Sequence, residues 1–191
     1  MNVIWCDTET TGIKPENSGA FEIAIIFACN GKIICECGFH LNPLTNTILY
    51  HEGAARVHGI SEEKIRAYPP AERVIPEIAA FFCEAMENYC SGERMVFAGY
   101  NCLFDWNHLQ ALFTRCNKTL DDYFSTRFDV MEMAKKAAAK KIIPYQKNFK
   151  LGTICKSLGV PLESAHSAGA DIEATRNVCI ELYKRGVNTL T

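Results

Sequence analysis

The stretch "VIWCDTETTG", Val3 to Gly12, runs from an apolar segment straight into Asp7 and Glu9 and closes on Thr10, Thr11 and Gly12. An apolar run of this length, bounded by acids and turn-forming residues, predicts a buried strand. Side chains alternate faces in an extended chain, so Asp7 and Glu9 project to the same side, roughly 7 Å apart along the strand. Two carboxylates at the end of a core strand repel one another and lose hydration, which raises their pKa values unless something positive lies between them. A divalent cation meets that need, and carboxylate oxygens suit Mg²⁺ or Mn²⁺ better than zinc, which favours Cys and His. The plainer alternative is an Asx turn opened by Asp7, with Thr8, Thr10, Thr11 and Gly12 as loop residues. The rest of the chain must decide between them.

The bulk properties narrow the field. A chain of 191 residues, 48% apolar and 22% charged, is long enough for one α/β domain with a substantial core, and a single domain over 1–191 is the expectation. The longest apolar run, Ile23 to Cys29, is too short to cross a bilayer, and no basic leader precedes the first strand. A soluble, cytoplasmic protein without membrane contact is therefore expected. The ten cysteines sit singly within apolar runs, without a CxxC pair, and read as reduced core thiols. Cys35, Cys37 and His40 alternate along one strand with no second pair, which argues against a zinc cluster. The net charge of -2 speaks against a broad basic face but not against a site that holds phosphates through metal ions. Between Lys135 and Lys150 six lysines occur with no acid among them. That run is either a solvated helix face or a contact for a phosphate backbone.

Strands are predicted at Val3–Cys6, Phe21–Cys29 and Lys32–Leu41, the last two joined by the hairpin turn Asn30-Gly31. A short helix and turn is expected in "YHEGAARVHGIS", a capped helix at Ser61, and a longer helix after Pro69-Pro70 in which Pro76 lies in the first turns or makes a kink. A buried strand at Arg94–Ala98, a helix after Asn101, a short strand near Phe128, and helices at Val130–Lys141, Leu151–Leu158 and Ala168–Arg185 complete the chain. In the last helix Ile172, Thr175, Val178, Cys179, Leu182 and Tyr183 form the apolar stripe. The order predicts an α/β fold: a mixed sheet, an antiparallel β-meander plus parallel strands, flanked by helices. Ligands of such sheets gather at strand ends, where Asp7 and Glu9 lie.

Further acids follow. Asp105 stands at a helix start after the strand "MVFAGYN", and Asp129 makes the same local sense before "VMEMAKK". Asp129 has an ordinary explanation as an N-cap, so Asp105 is preferred as the ligand. In "HSAGADIEAT", His166 precedes Asp171 by five residues, an offset of about 140° around a helix, so the two do not share a face. His166 is expected on the loop and Asp171 in the first helical turn among small residues.

"DTETTG", "HGI" at His58–Ile60, "NCLFD" and "HSAGAD" occur in the order and spacing of the DEDDh, or DnaQ-like, 3′→5′ exonucleases, and the resemblance covers Val3 to about Leu182. It implies an RNase H-like fold and removal of nucleotides from 3′ ends. Carried across motif by motif, Asp7, Glu9, Asp105 and Asp171 resemble the metal-binding acids, and His166 the catalytic base. The resemblance further implies two divalent cations, Mg²⁺ or Mn²⁺, with Asp7 bridging them. The Thr10–Gly12 backbone, His58, Asn101 and Phe104 are implied to hold the terminal nucleotide. Ser167 stands where the related Tyr class carries its tyrosine, four residues before the last acid, so the His class is indicated. Tyr100 replaces the histidine that many relatives have before the Asn.

The expected partners are nucleic acid 3′ ends, DNA ahead of RNA, with a polymerase or repair protein as a possible companion. Trimming of RNA is the alternative within the class. A non-cutting nucleic-acid- or polymerase-binding domain is the alternative outside it, and the presence of every catalytic residue type argues against that reading.

Overall fold

A five-stranded sheet in the order β3-β2-β1-β4-β5 forms the centre of the computed structural model, which describes residues 1–162 and 167–187. β1 (Asn2–Thr10), β2 (Ala20–Cys29) and β3 (Lys32–His40) make the antiparallel meander, turned at Asn30 and Gly31, both at positive φ. β4 (Met95–Gly99) pairs parallel with β1, and β5 (Phe124–Asp129) parallel with β4. The mixed sheet read from the sequence is the one observed, with β4 one residue later than expected at each end.

Both faces of the sheet are covered, which is why its central strands read as continuous apolar runs. Ile4 and Cys6 point into a core shared with α3 (Ala71–Tyr89) and α4 (Cys102–Arg115). Trp5 points the other way, into a core shared with α5 (Val130–Ala139), α6 (Leu151–Leu158) and α7 (Ala168–Lys184). Two short helices, α1 (Glu52–His58) and α2 (Glu62–Arg66), join the meander to α3. Pro76 lies inside α3, in its second turn, and the helix runs on through it.

Two sequence expectations need correction. Tyr183 is 65% exposed, because the buried stripe of α7 is carried by Ile172, Thr175, Val178 and Leu182 and the 3.6-residue period turns the next position outward. Cys83 is exposed on the outer side of α3, so it is not a core thiol, although all ten cysteines are unpaired. Among the described residues, no helix is long and apolar enough to cross a membrane.

Candidate active site

Residue parity along β1 determines how the site is assembled. Asp7 and Glu9 share the face of Trp5, the α7 side, whereas Thr8 shares the face of Cys6, the α4 side. The helices on the two faces each deliver one acid to the end of the strand. Asp171 sits in the first turn of α7, after Ser167, and each of Asp7, Glu9 and Asp171 offers a carboxylate oxygen within 4.8 Å of the other two. From the opposite face, Asp105 in the first turn of α4 is buried and accepts hydrogen bonds through Oδ1 from the Thr8 amide at 2.9 Å and the Thr8 hydroxyl at 2.8 Å. Asp105 thus lies beside the cluster but does not join its closest grouping.

The electrostatics show an unbalanced site. Burial pushes the Asp7 carboxyl well above the usual range, and the neighbouring Asp105, Asp171 and Glu9 push it further. Glu9 is raised to about 7, first by burial and then by Asp171 and Glu22, its partner across the strand pair. Asp105 is raised to about 7 by burial, against the two hydrogen bonds from Thr8, which favour its ionised form. Four acids at the end of one strand, all oxygen donors, fit a hard divalent cation: the ion would remove the repulsion that raises these groups.

The residues expected to hold the terminal nucleotide are fixed by the fold in different ways. The β1–β2 pairing slips after Glu9, and the loop that follows is tied inward: the Thr10 hydroxyl donates to the Gly12 carbonyl at 2.7 Å, and the Thr11 hydroxyl accepts from the Gly19 amide at 3.1 Å. Their side chains are thus committed to shaping the loop. A Cβ on Gly12 would lie 2.4 Å from the His51 ring, so only glycine fits there. Asn101 adopts a left-handed conformation with φ 58° and is exposed, its amide donating to Asp129 Oδ1 at 2.9 Å. Asp129 also accepts from the Met131 amide at 2.8 Å, the N-cap expected of it. Phe104 is half-buried with its ring 4.4 Å from that of His108.

His58 accepts the Ile60 amide at Nδ1, 3.0 Å away, which places the proton of the neutral ring on Nε2. That nitrogen is buried without a hydrogen-bond partner among the described residues, while the ring packs on Phe21 at 4.7 Å. His166 lies outside the described residues.

Four participants were not singled out from the sequence. Thr8 holds Asp105, and the alternation that places Asp7 and Glu9 on one face also turns Thr8 to the other. His108 is buried beneath Phe104, with Nδ1 at 3.0 Å from the Phe104 carbonyl and Nε2 at 3.2 Å from Ser18 Oγ, so it braces α4 against the loop. Its four-residue spacing from Phe104 was the available signal. Ile13, 81% exposed, and Leu103, 54% exposed, leave apolar side chains beside Gly12 and Phe104, and only coordinates reveal such exposure.

A family model described as Exonuclease (RNase_T) matches residues 4–179. The chain belongs to the exonuclease family. Among the similar proteins, a PolC-type DNA polymerase III of Halalkalibacterium halodurans is 28% identical over 93% of this exonuclease chain, which spans only 11% of that polymerase. A 3′-5′ exonuclease DinG of Staphylococcus haemolyticus is 27% identical over 94% of the chain and 18% of its own length. Ribonuclease T of Buchnera aphidicola is 26% identical over 94% of the chain and 82% of its own length. The fold matches that of exonuclease I of E. coli in a complex with single-stranded DNA, with a TM-score of 0.81 at 22% identity over 97% of this chain and 41% of that one. The RNase H-like architecture expected from the resemblance is therefore present.

Proposed function

We propose that the chain hydrolyses phosphodiester bonds stepwise from the 3′ end of DNA, single-stranded or frayed, releasing nucleoside 5′-monophosphates with the help of two divalent cations. The observation that carries this reading is the convergence of Asp7, Glu9 and Asp171 within 4.8 Å, with Asp105 entering from the other face of the sheet. Asp7, Glu9 and Asp171 would hold the cations together, Asp7 as the carboxylate shared between them, and Asp105 would contribute from the other face. Cations held there would neutralise the phosphate and lower the pKa of an attacking water.

The chain's own residues supply positioning and proton transfer. Thr8 fixes the rotamer of Asp105. The backbone of Thr10–Gly12 faces the terminal nucleotide, and Phe104, backed by His108, offers a ring face on which a base can stack irrespective of sequence. Ile13 and Leu103 add apolar contact beside it. The His58 ring and the Asn101 side chain are the polar groups assigned to the terminal nucleotide. His166, with an unperturbed pKa near 6.5, takes the proton of the water when neutral.

DNA is favoured because relatives covering nearly the whole chain belong to DNA polymerase III and because the matched exonuclease I structure holds single-stranded DNA. A second reading, trimming of RNA 3′ ends, is favoured by the ribonuclease T relative, 82% of whose length this chain spans. The polymerase relatives also suggest docking to a polymerase. The test is incubation with DNA and RNA labelled at the 5′ or the 3′ end, in Mg²⁺, Mn²⁺ or EDTA. Immediate release of labelled mononucleotide from the 3′ end, abolished by EDTA, is expected; internal cuts, release from the 5′ end, or no release from any substrate would overturn the proposal.

A further inference from the structure

The longest acid-free stretch of the chain runs from Met133 to Leu162 and carries Lys135, Lys136, Lys140, Lys141, Lys147, Lys150 and Lys156 in a protein whose formal net charge is -2. Lys135 pairs with Glu132 at 2.6 Å, whereas Lys140, Lys141, Lys147 and Lys150 are exposed and enter no ion pair among the described residues. Two aromatic rings are interleaved with them. Tyr145 is 81% exposed and lies edge-on to Phe149, with centroids 6.1 Å apart.

The segment is anchored rather than loosely appended. Ile143 is buried in the core formed with α5, α6 and α7. Gln146 Nε2 donates to the Ser157 hydroxyl at 3.1 Å, and Asn148 Oδ1 accepts from the Lys150 amide at 3.1 Å and the Thr153 hydroxyl at 2.8 Å. The Tyr100 hydroxyl donates to the Phe149 carbonyl at 2.7 Å. Tyr100 immediately precedes Asn101 at the end of β4, so this bond joins the lysine segment to the rim of the acid cluster.

Lys141 adds an independent indication. It ends α5 at φ 56°, with its amide on the Ala138 carbonyl at 3.0 Å and the Ile142 amide on the Ala137 carbonyl at 2.9 Å. This is the left-handed helix stop that glycine fills without strain, and a side chain there is strained. The position presents a cation at the expense of local stability.

We propose that Lys140, Lys141, Lys147 and Lys150, with Tyr145, form a track for a single-stranded polynucleotide upstream of its 3′-terminal nucleotide. Cations along a backbone path with an exposed ring for an unpaired base are the elements of sequence-tolerant single-strand binding, and base pairing would hide the faces that Tyr145 can stack on. The inference rests on the reading of the acid cluster as the cutting site and extends it to the strand leading there.

The test is fluorescence anisotropy of a 5′-labelled oligothymidylate with the full chain in EDTA, at several salt concentrations. Each phosphate neutralised contributes about 0.7 to the slope of log affinity against log salt for a single strand, so the Lys147→Gln/Lys150→Gln variant should lower that slope by about 1.4. Tyr145→Ala should weaken binding about tenfold with little change in slope. Circular dichroism checks that the variants remain folded. An unchanged slope in the lysine variant, or equal weakening toward a blunt duplex, would overturn the proposal. Hydrolysis of the p-nitrophenyl ester of thymidine 5′-monophosphate by the unmodified chain reports on the acid cluster alone. Its absence, with the change of slope still present, would remove the cutting assignment and leave the strand track standing.

Discussion

Removing divalent ions should make the stability of this protein depend on pH in an unusual direction. Most folded proteins hold their carboxylates below the unfolded values and gain stability as acid is removed. Here Glu9 is raised from 4.5 to about 7 in the metal-free fold, and Asp7 and Asp105 move the same way. The folded state then binds more protons than the unfolded state between those values. The stability associated with these groups is complete below about pH 4.5 and is lost as pH rises through about 7. For Glu9 alone the full shift corresponds to roughly 3 kcal/mol, at 1.36 kcal/mol per tenfold change in proton affinity. Its partial exposure to solvent reduces that to about 2 kcal/mol, which for a chain of this size is a Tm change of about 4–8 °C. Thermal melts of EDTA-treated protein at pH 5 and pH 8 measure it, with Glu9→Gln as the reference that removes the titration. The wild type should lose more Tm than the variant across that interval, and Mg²⁺ should restore the loss at pH 8 far more than at pH 5. Parallel pH profiles for the two proteins, or Mg²⁺ protection independent of pH, would refute the reasoning.

The remaining expectations follow from individual contacts. Thr8→Val removes one of two hydrogen bonds to the buried Asp105 and should destabilise the fold by about 1–3 kcal/mol, with loss of turnover; chemical denaturation measures the first effect and oligonucleotide hydrolysis the second. His166→Ala should remain folded and lose nearly all turnover, and wild-type activity should fall in acid; near-normal turnover in the folded variant would remove the assigned base. Ile13→Ala should leave stability within about 0.5 kcal/mol because the side chain is 81% exposed, while raising KM for single-stranded substrate several-fold. Lys141→Gly should raise Tm and weaken single-strand binding together, a pairing of opposite signs that a purely structural lysine would not produce.

Much of this arrangement could be read before any coordinates, for reasons particular residues make plain. The alternation Asp7-Thr8-Glu9 fixes which side chains share a face whatever the rest of the chain does, and the Asn30-Gly31 turn identifies the meander because few other sequences accept its backbone. Asp129 could be set aside as an N-cap from its position alone. What could not be read were the consequences of packing on both sides of one strand. Asp105 is legible as an acid at the start of a helix, but its arrival from the α4 side and its two hydrogen bonds from Thr8 depend on packing. His108 acquires its partner only because the loop carrying Ser18 folds back onto α4. Tyr183 kept the spacing of the α7 stripe but fell outside it, since the helix meets the sheet along a narrower strip than its pattern suggested.

The most direct test is a titration of the metal-free chain with Mn²⁺ followed by electron paramagnetic resonance, in wild type and Asp7→Asn. Two bound ions per chain in the wild type, reduced to at most one weak site in the variant, is the expected result. Equal uptake by both proteins, or none by either, would contradict the assignment of these carboxylates as a shared cation site.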